Sequence, residues 1–205
     1  MARGASRSSN HLKRMKTLSR SLLLILLPVL STLVAAPPKA REETAFLFEN
    51  RKLSVAVPPG FGCVTSKNED GIVTMRIGEP KDRYNVELLF LPDPDRQFAG
   101  ARARREKMVE LFSDYVGASS EKGMQFEELE PSTGAGTYCV FTDSALVGKE
   151  KLPPGEYVHL TSGLKVWPGV VTIFRFFSND TTSAEYRAVM KMLRESVHEK
   201  AVPLR

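Results

Sequence analysis

From Leu53 to Ser178 the apolar side chains recur mostly at every second position, and only a central stretch breaks that rhythm for a helical one. Alternation of this kind turns one face of a segment toward a core and the other outward, so most of the chain is written for sheet. Ala45 to Glu49 and Leu53 to Val57 read as two strands around Asn50 to Lys52, and Pro58-Pro59-Gly60 stops the second. Gly62 to Ser66 and Ile72 to Ile77 flank a turn ending in Asp70-Gly71, a pair that favours a tight hairpin. Tyr84 to Leu91 is the next strand, closed by Pro92-Asp93-Pro94. Further strands are predicted at Gln125 to Glu130, Gly136 to Thr142, Tyr157 to Val166 and Val170 to Ser178, the last two joined by the turn Trp167-Pro168-Gly169.

Between these blocks Met108, Leu111, Phe112, Tyr115 and Val116 recur at helical spacing, which predicts an amphipathic helix over 99–117 ended by Gly117. A second helix follows a cap at Asp180 or Thr181, with Tyr186, Val189, Met190, Leu193 and Val197 as its stripe. Strands that alternate leave an apolar sheet face seeking cover, and two helices can supply it. The expected fold is α+β, a mostly antiparallel sheet covered by two amphipathic helices.

The head of the chain differs in kind. Lys13, Arg14, Lys16 and Arg20 precede an uncharged stretch from Ser21 to Ala36, strongly apolar from Leu22 to Val34. A bilayer core asks for about 20 apolar residues, whereas a secretory signal carries roughly 7 to 15 behind a basic segment, and this run fits the second. It closes on Val34-Ala35-Ala36, small residues that suit signal peptidase, which sets cleavage near Ala36. An uncleaved anchor is the rival reading, and Met15 offers an alternative start. Residues 1–36 are thus expected to be an extension and cleavable signal peptide, 37–44 a linker, and 45–205 a single domain, periplasmic or secreted, with no stable membrane span once the signal is removed.

Removing that head changes the charge. The chain holds 29 Lys plus Arg against 24 Asp plus Glu, an excess that invites a nucleic-acid reading. Six of the bases and none of the acids lie in the first 36 residues, leaving 23 against 24. A nearly neutral body is not expected to bind nucleic acid. Arg102, Arg104 and Arg105 with Glu106 read as a solvated helix face rather than an anion site. Cys63 and Cys139, in an oxidising compartment, read as one disulfide worth about 4 to 5 kcal/mol by chain entropy, with two buried free thiols as the alternative.

Little in the body resembles catalytic chemistry. His159 and His198 are isolated, and a zinc centre wants three or four ligands at recognisable spacings, so no metal site and no cofactor is expected. Cys139 and His159 could pair as nucleophile and base, yet no activated-thiol motif surrounds them. No GxSxG elbow occurs, and Gly134-Ala135-Gly136 leads into a strand instead of opening a helix. Asp93 and Asp95 sit in a proline loop, and Glu127, Glu128 and Glu130 read as ordinary surface groups. Asn179-Asp180-Thr181 fits a glycosylation acceptor, moot behind a bacterial-looking leader. Trp167 at a hairpin tip is the candidate partner contact, with packing over the sheet edge as the alternative. Phe174 and Phe176 share one face and Phe177 the other, so core packing accounts for at least two of the three.

The order of elements, with LSVAVPPGF early, YNVELLFL in the middle and TTSAEYRAVMKMLRESV at the end, resembles the PsbP-like fold. That fold is shared by a photosystem II extrinsic subunit, a Ran-binding nuclear import factor and many small bacterial envelope proteins. The likeness covers most of residues 45 to 198. Its most specific part is the strand ending in Pro58-Pro59-Gly60-Phe61, with Phe61 where Trp often stands. The resemblance implies binding or assistance in assembly rather than catalysis, and it transfers no functional residue, since fold alone assigns no role. The expectation is an exported, non-catalytic envelope protein that binds a protein partner or assists assembly of an envelope complex through its sheet edge or hairpin loops. The alternatives are a small periplasmic hydrolase with a site scattered in sequence, and an inhibitor or immunity protein against an envelope-acting toxin.

Overall fold

Alternation in sequence becomes alternation in burial. In the computed structural model, which describes residues 39–48, 51–79 and 81–200, the apolar positions of each central strand turn inward in step. The described strands are β1 (Arg41–Phe46), β2 (Arg51–Val57), β3 (Gly62–Lys67), β4 (Val73–Gly78), β5 (Tyr84–Asp93), β6 (Glu127–Glu128), β7 (Ala135–Thr142), β8 (His159–Trp167), β9 (Gly169–Ser178) and β10 (Val197–Lys200). Two α-helices, α1 (Ala101–Phe112) and α2 (Ala184–Glu195), interrupt them. The expected signal peptide, its cleavage point and the second start at Met15 lie outside the described residues.

Seven strands form one sheet in the order β3-β4-β5-β9-β8-β7-β6, and β1-β2-β10 form a second; all pairings are antiparallel. Two meanders, β3-β4-β5 and β6-β7-β8-β9, meet at the long β5–β9 seam, which runs in register from Tyr84 opposite Ser178 to Asp93 opposite Gly169. The crossover between the meanders carries α1. At the β8–β9 turn Gly169 adopts φ 82, a conformation that costs glycine nothing.

The large sheet buries both faces unequally. On one side α2 and the small sheet enclose Val55, Val57, Met75, Phe90, Phe174 and Val189. Burying a phenylalanine completely, as at Phe90 and Phe174, contributes roughly 1.5–3 kcal/mol. On the other side α1 covers β7 and β8 through Met108 and Phe112, which pack with Cys139, Leu160 and Leu164. The protein is α+β: two helices packed on antiparallel sheets, mostly strand.

Several boundaries move, each for a tertiary reason. The first strand begins at Arg41, so Arg41–Thr44 of the expected linker pair with Ser54–Val57 instead. The first helix ends at Phe112 and tightens into a 3-10 turn over Ser113–Tyr115, short of Gly117. Ser183, not Asp180 or Thr181, caps α2 by accepting from the Tyr186 amide at 3.0 Å, while Asp180 accepts from the Thr182 amide. The same helix stops at Glu195, so Val197, expected on its stripe, lies in β10 together with His198. Lys165 of β8 caps this end: its ammonium donates to Leu193 O, Arg194 O and Ser196 O at 2.8, 3.1 and 2.9 Å, satisfying carbonyls that have no partner within the helix.

The expected disulfide is absent; both cysteines are free. Cys63 on β3 and Cys139 on β7 are separated by four intervening strands, a gap of about 24 Å at ~4.8 Å per strand, and a bridge needs Cα atoms within about 7 Å. They also face opposite sides, Cys63 against the α2 core and Cys139 in the α1 core.

Candidate functional site

A cleft in the described surface grows from one cross-strand row. Register aligns Phe141 of β7, Leu160 of β8 and Phe177 of β9 on the α1 side of the sheet. These three floor a cleft of about 460 Å³, a volume suited to a small ligand or an anchoring side chain.

Its walls come from two loops. One follows the 3-10 turn and brings Tyr115, Ala118 and Ser119 to the rim. It is tied to the β7 end because Ser120 N donates to Thr142 O at 2.8 Å and Ser144 Oγ donates to Ala118 O at 2.8 Å. The second is the long β7–β8 connection, which contributes Asp143, Leu146, Lys149, Glu156, Tyr157 and Val158. Asp143 organises its start, its Oδ1 accepting from Ala145 N at 2.8 Å, and its backbone N–H reaches Val158 O at 2.8 Å across the loop base. Apolar atoms dominate the interior: Leu146 and Phe141 are buried, while Tyr115 keeps 37% of its surface exposed at the lip.

Aromatic pairs stand on both sides, Tyr115 with Phe141 at 5.7 Å and Tyr157 with Phe177 at 5.5 Å between ring centroids. The Tyr157 hydroxyl donates to Asp82 Oδ1 at 2.5 Å. Burial first, and then that bond, push the Tyr157 pKa well above its ordinary value, so the phenol stays neutral. Asp82 lies on the rim of a second, shallower groove of about 400 Å³ beside β3 and β4, lined also by Gly62, Val64, Arg76 and Gly78. Tyr157 and Asp82 therefore form the partition between the two hollows.

Of the residues named from sequence, Tyr115 and Phe177 line this cleft, whereas the candidate site residues Cys63, Cys139 and Trp167 do not. Trp167, expected as an exposed contact or as packing, is buried at 6% exposure; its indole N–H donates to Thr133 Oγ1 at 3.1 Å and Lys165 Nζ sits 4.6 Å from the ring centroid. It is core, not an anchor. Burial pushes the Cys139 thiol up to about 12 and raises Cys63 as well, which keeps both thiols protonated at neutral pH. His159 turns to the opposite face from Cys139, with its Nδ1 3.1 Å from Thr142 Oγ1, so the two cannot act together. Burial lowers the pKa of His159, and of His198.

One surface reading is corrected, and two others gain partners that the sequence analysis did not name. Arg104 is buried within α1, donating to Thr137 Oγ1 at 2.8 Å, Ala99 O at 2.7 Å and Glu128 Oε2 at 2.9 Å. Glu128 lies at the surface as expected, but it is tied down, since it also receives Arg105 at 3.0 Å. Burial raises the Glu128 carboxyl, but the bonds from Arg105, Arg104 and Thr137 outweigh it and leave the pKa lowered. Asp93, read from sequence as part of a proline loop, is buried and clamps the turn by accepting from the amides of Gln97 and Phe98. Among the described residues no three His, Cys, Asp or Glu side chains gather as metal ligands, and no helix is long and apolar enough to cross a membrane. Compared with family models, curated proteins and solved structures, the chain matches none.

Sequence reasoning missed the cleft because its walls come from segments without periodicity. The available signal was length: a connection from Asp143 to Val158, longer than the ~12–15 residues that structureless loops normally reach, with Pro153-Pro154-Gly155 inside it.

Proposed function

We propose that the chain is an exported binding protein of the cell envelope, freed of residues 1–36, that holds a partner protein in the cleft beneath the β7–β8 loop. It acts by contact rather than by bond-making chemistry. The observation that carries this reading is the lining: an apolar floor of Phe141, Leu160 and Phe177 with Leu146, Tyr157 and Val158 in the walls, opening at the exposed Tyr115, with Val147 exposed on the β7–β8 loop. Apolar surface of this sort on a soluble body marks contact sites, and tyrosine is enriched among the residues that dominate binding energy. The leader composition supports export, and the element order supports membership of the PsbP-like group, whose bacterial members the resemblance associates with binding and assembly.

The test is photo-crosslinking in living cells. A photoreactive phenylalanine placed at Val147 or Tyr115 is expected to capture a discrete envelope protein, while the same residue at exposed Glu195 on α2 captures none. Equal capture at all three positions, or capture at Glu195 alone, overturns the assignment of this cleft. N-terminal sequencing of the recovered protein checks the other half: a mature start within two residues of Pro37 is expected, and a retained leader refutes export with cleavage.

A further inference from the structure

Resting on that binding reading, we infer that the cleft accepts a cationic group, the guanidinium or ammonium end of a basic side chain on the partner, with the apolar stem lying on the sheet floor. Four rings line the space, Tyr115, Phe141, Tyr157 and Phe177. Aromatic faces carry negative potential and attract a cation held within about 6 Å of the centroid. Tyr157 is improved for that task because its hydroxyl donates to the Asp82 carboxylate, which pushes electron density toward the ring.

Charge around the rings points the same way. Asp143 and Glu156 line the cleft, and Glu121 accepts from the amide of Thr142, the residue after Phe141, at 2.9 Å. Two cations are near. Lys149 is exposed and lines the cleft, and Lys122 is turned back to donate to Gly117 O at 3.1 Å. An anion would meet ring faces and two carboxylates. A cation is attracted by those rings and by Asp143 and Glu156 and opposed by Lys149, and that opposition gives the test a second sign.

Two matched probes decide the matter, N-acetyl-arginine methylamide and its neutral isostere N-acetyl-citrulline methylamide. Each is titrated by NMR into the protein recovered from expressing cells, reading the resonances of Phe141, Leu160 and Phe177. Arginine is expected to bind roughly 3- to 30-fold more tightly than citrulline, the range that cation–π attraction supplies. Glu156→Gln and Tyr115→Leu are each expected to weaken arginine binding several-fold, and Lys149→Gln to tighten it. All three side chains reach solvent, so the variants keep the fold. Equal affinity for the two probes, or reversed signs for Glu156→Gln and Lys149→Gln, overturns the cationic assignment while leaving an apolar binding cleft. Absence of any shift with either probe also overturns it, and the crosslinking result then decides separately whether the cleft binds a partner at all.

Discussion

Lys165 sends an ammonium into the interior between β8 and the end of α2, where it is 2% exposed and surrounded by oxygen. Besides three carbonyls it donates to Ser196 Oγ at 2.9 Å, and the Trp167 ring covers it. Burial pushes its pKa down to about 7, while four acceptors and the carbonyl-rich helix end favour the charged form. Lys165→Met keeps the stem but strands those oxygens, each buried acceptor left without a donor costing about 1–3 kcal/mol less whatever relaxation recovers. We expect a loss of about 3 kcal/mol, read as a lower urea midpoint at unchanged slope; a midpoint equal to that of the parent would show the ammonium is not what holds the helix end. A trace of this was legible. In the strand LTSGLKVW the lysine falls on the face shared by Thr161, Gly163 and Trp167, a polar group where the alternation calls for an apolar one. What the lysine reaches was not, because Leu193 to Ser196 are brought to it only by folding.

Elements behaved according to how local their causes are. The central strands match their predicted spans to within about three residues, because period-two burial is set by each strand's own sequence. Helix ends did not, since a cap is a choice among neighbouring hydroxyls and carboxylates that sequence presents as near equals. Asp180, Thr181 and Ser183 all qualify by type, and only Ser183 Oγ is aligned with the Tyr186 amide. Ser183→Ala is therefore expected to cost about 1 kcal/mol, and Thr181→Ala to stay within about 0.5 kcal/mol of the parent, measured by chemical denaturation. Equal losses in both would move the cap back to the turn. The β7–β8 loop is the opposite case. Its shape is imposed by bonds to the strand ends and to the segment after α1, so nothing periodic announces the cleft.

At the scale of the molecule, acid should weaken this fold in two stages. Burial lowers the pKa of His159 and His198 below 6.5, so as pH falls through that value the unfolded chain binds protons that the folded one refuses, and stability drops. Glu121 and Glu128 are held below 4.5, so a further loss comes as pH falls through and below that value. Thermal melts from pH 6.5 to 4 should show a falling midpoint, with His159→Gln and His198→Gln together flattening the upper part; an unchanged slope in that double variant would rule the histidines out. The separated cysteines give a second global check: reductant should leave the melting temperature unchanged, and thiol reagent should label two groups only after unfolding exposes buried Cys139. The sequence by itself determined the α+β class, the alternation of most strands, the helical stripes and the charge asymmetry of residues 1–36, because periodicity and composition act over a few neighbouring residues. Tertiary structure alone decided that β5 pairs with β9, which sets four strands between the cysteines, packs the buried Trp167 against Lys165, and aligns Phe141, Leu160 and Phe177 into the floor of a cleft. Strand order is a long-range choice among many antiparallel pairings that local alternation satisfies equally well, and only the packing of two whole faces selects one of them.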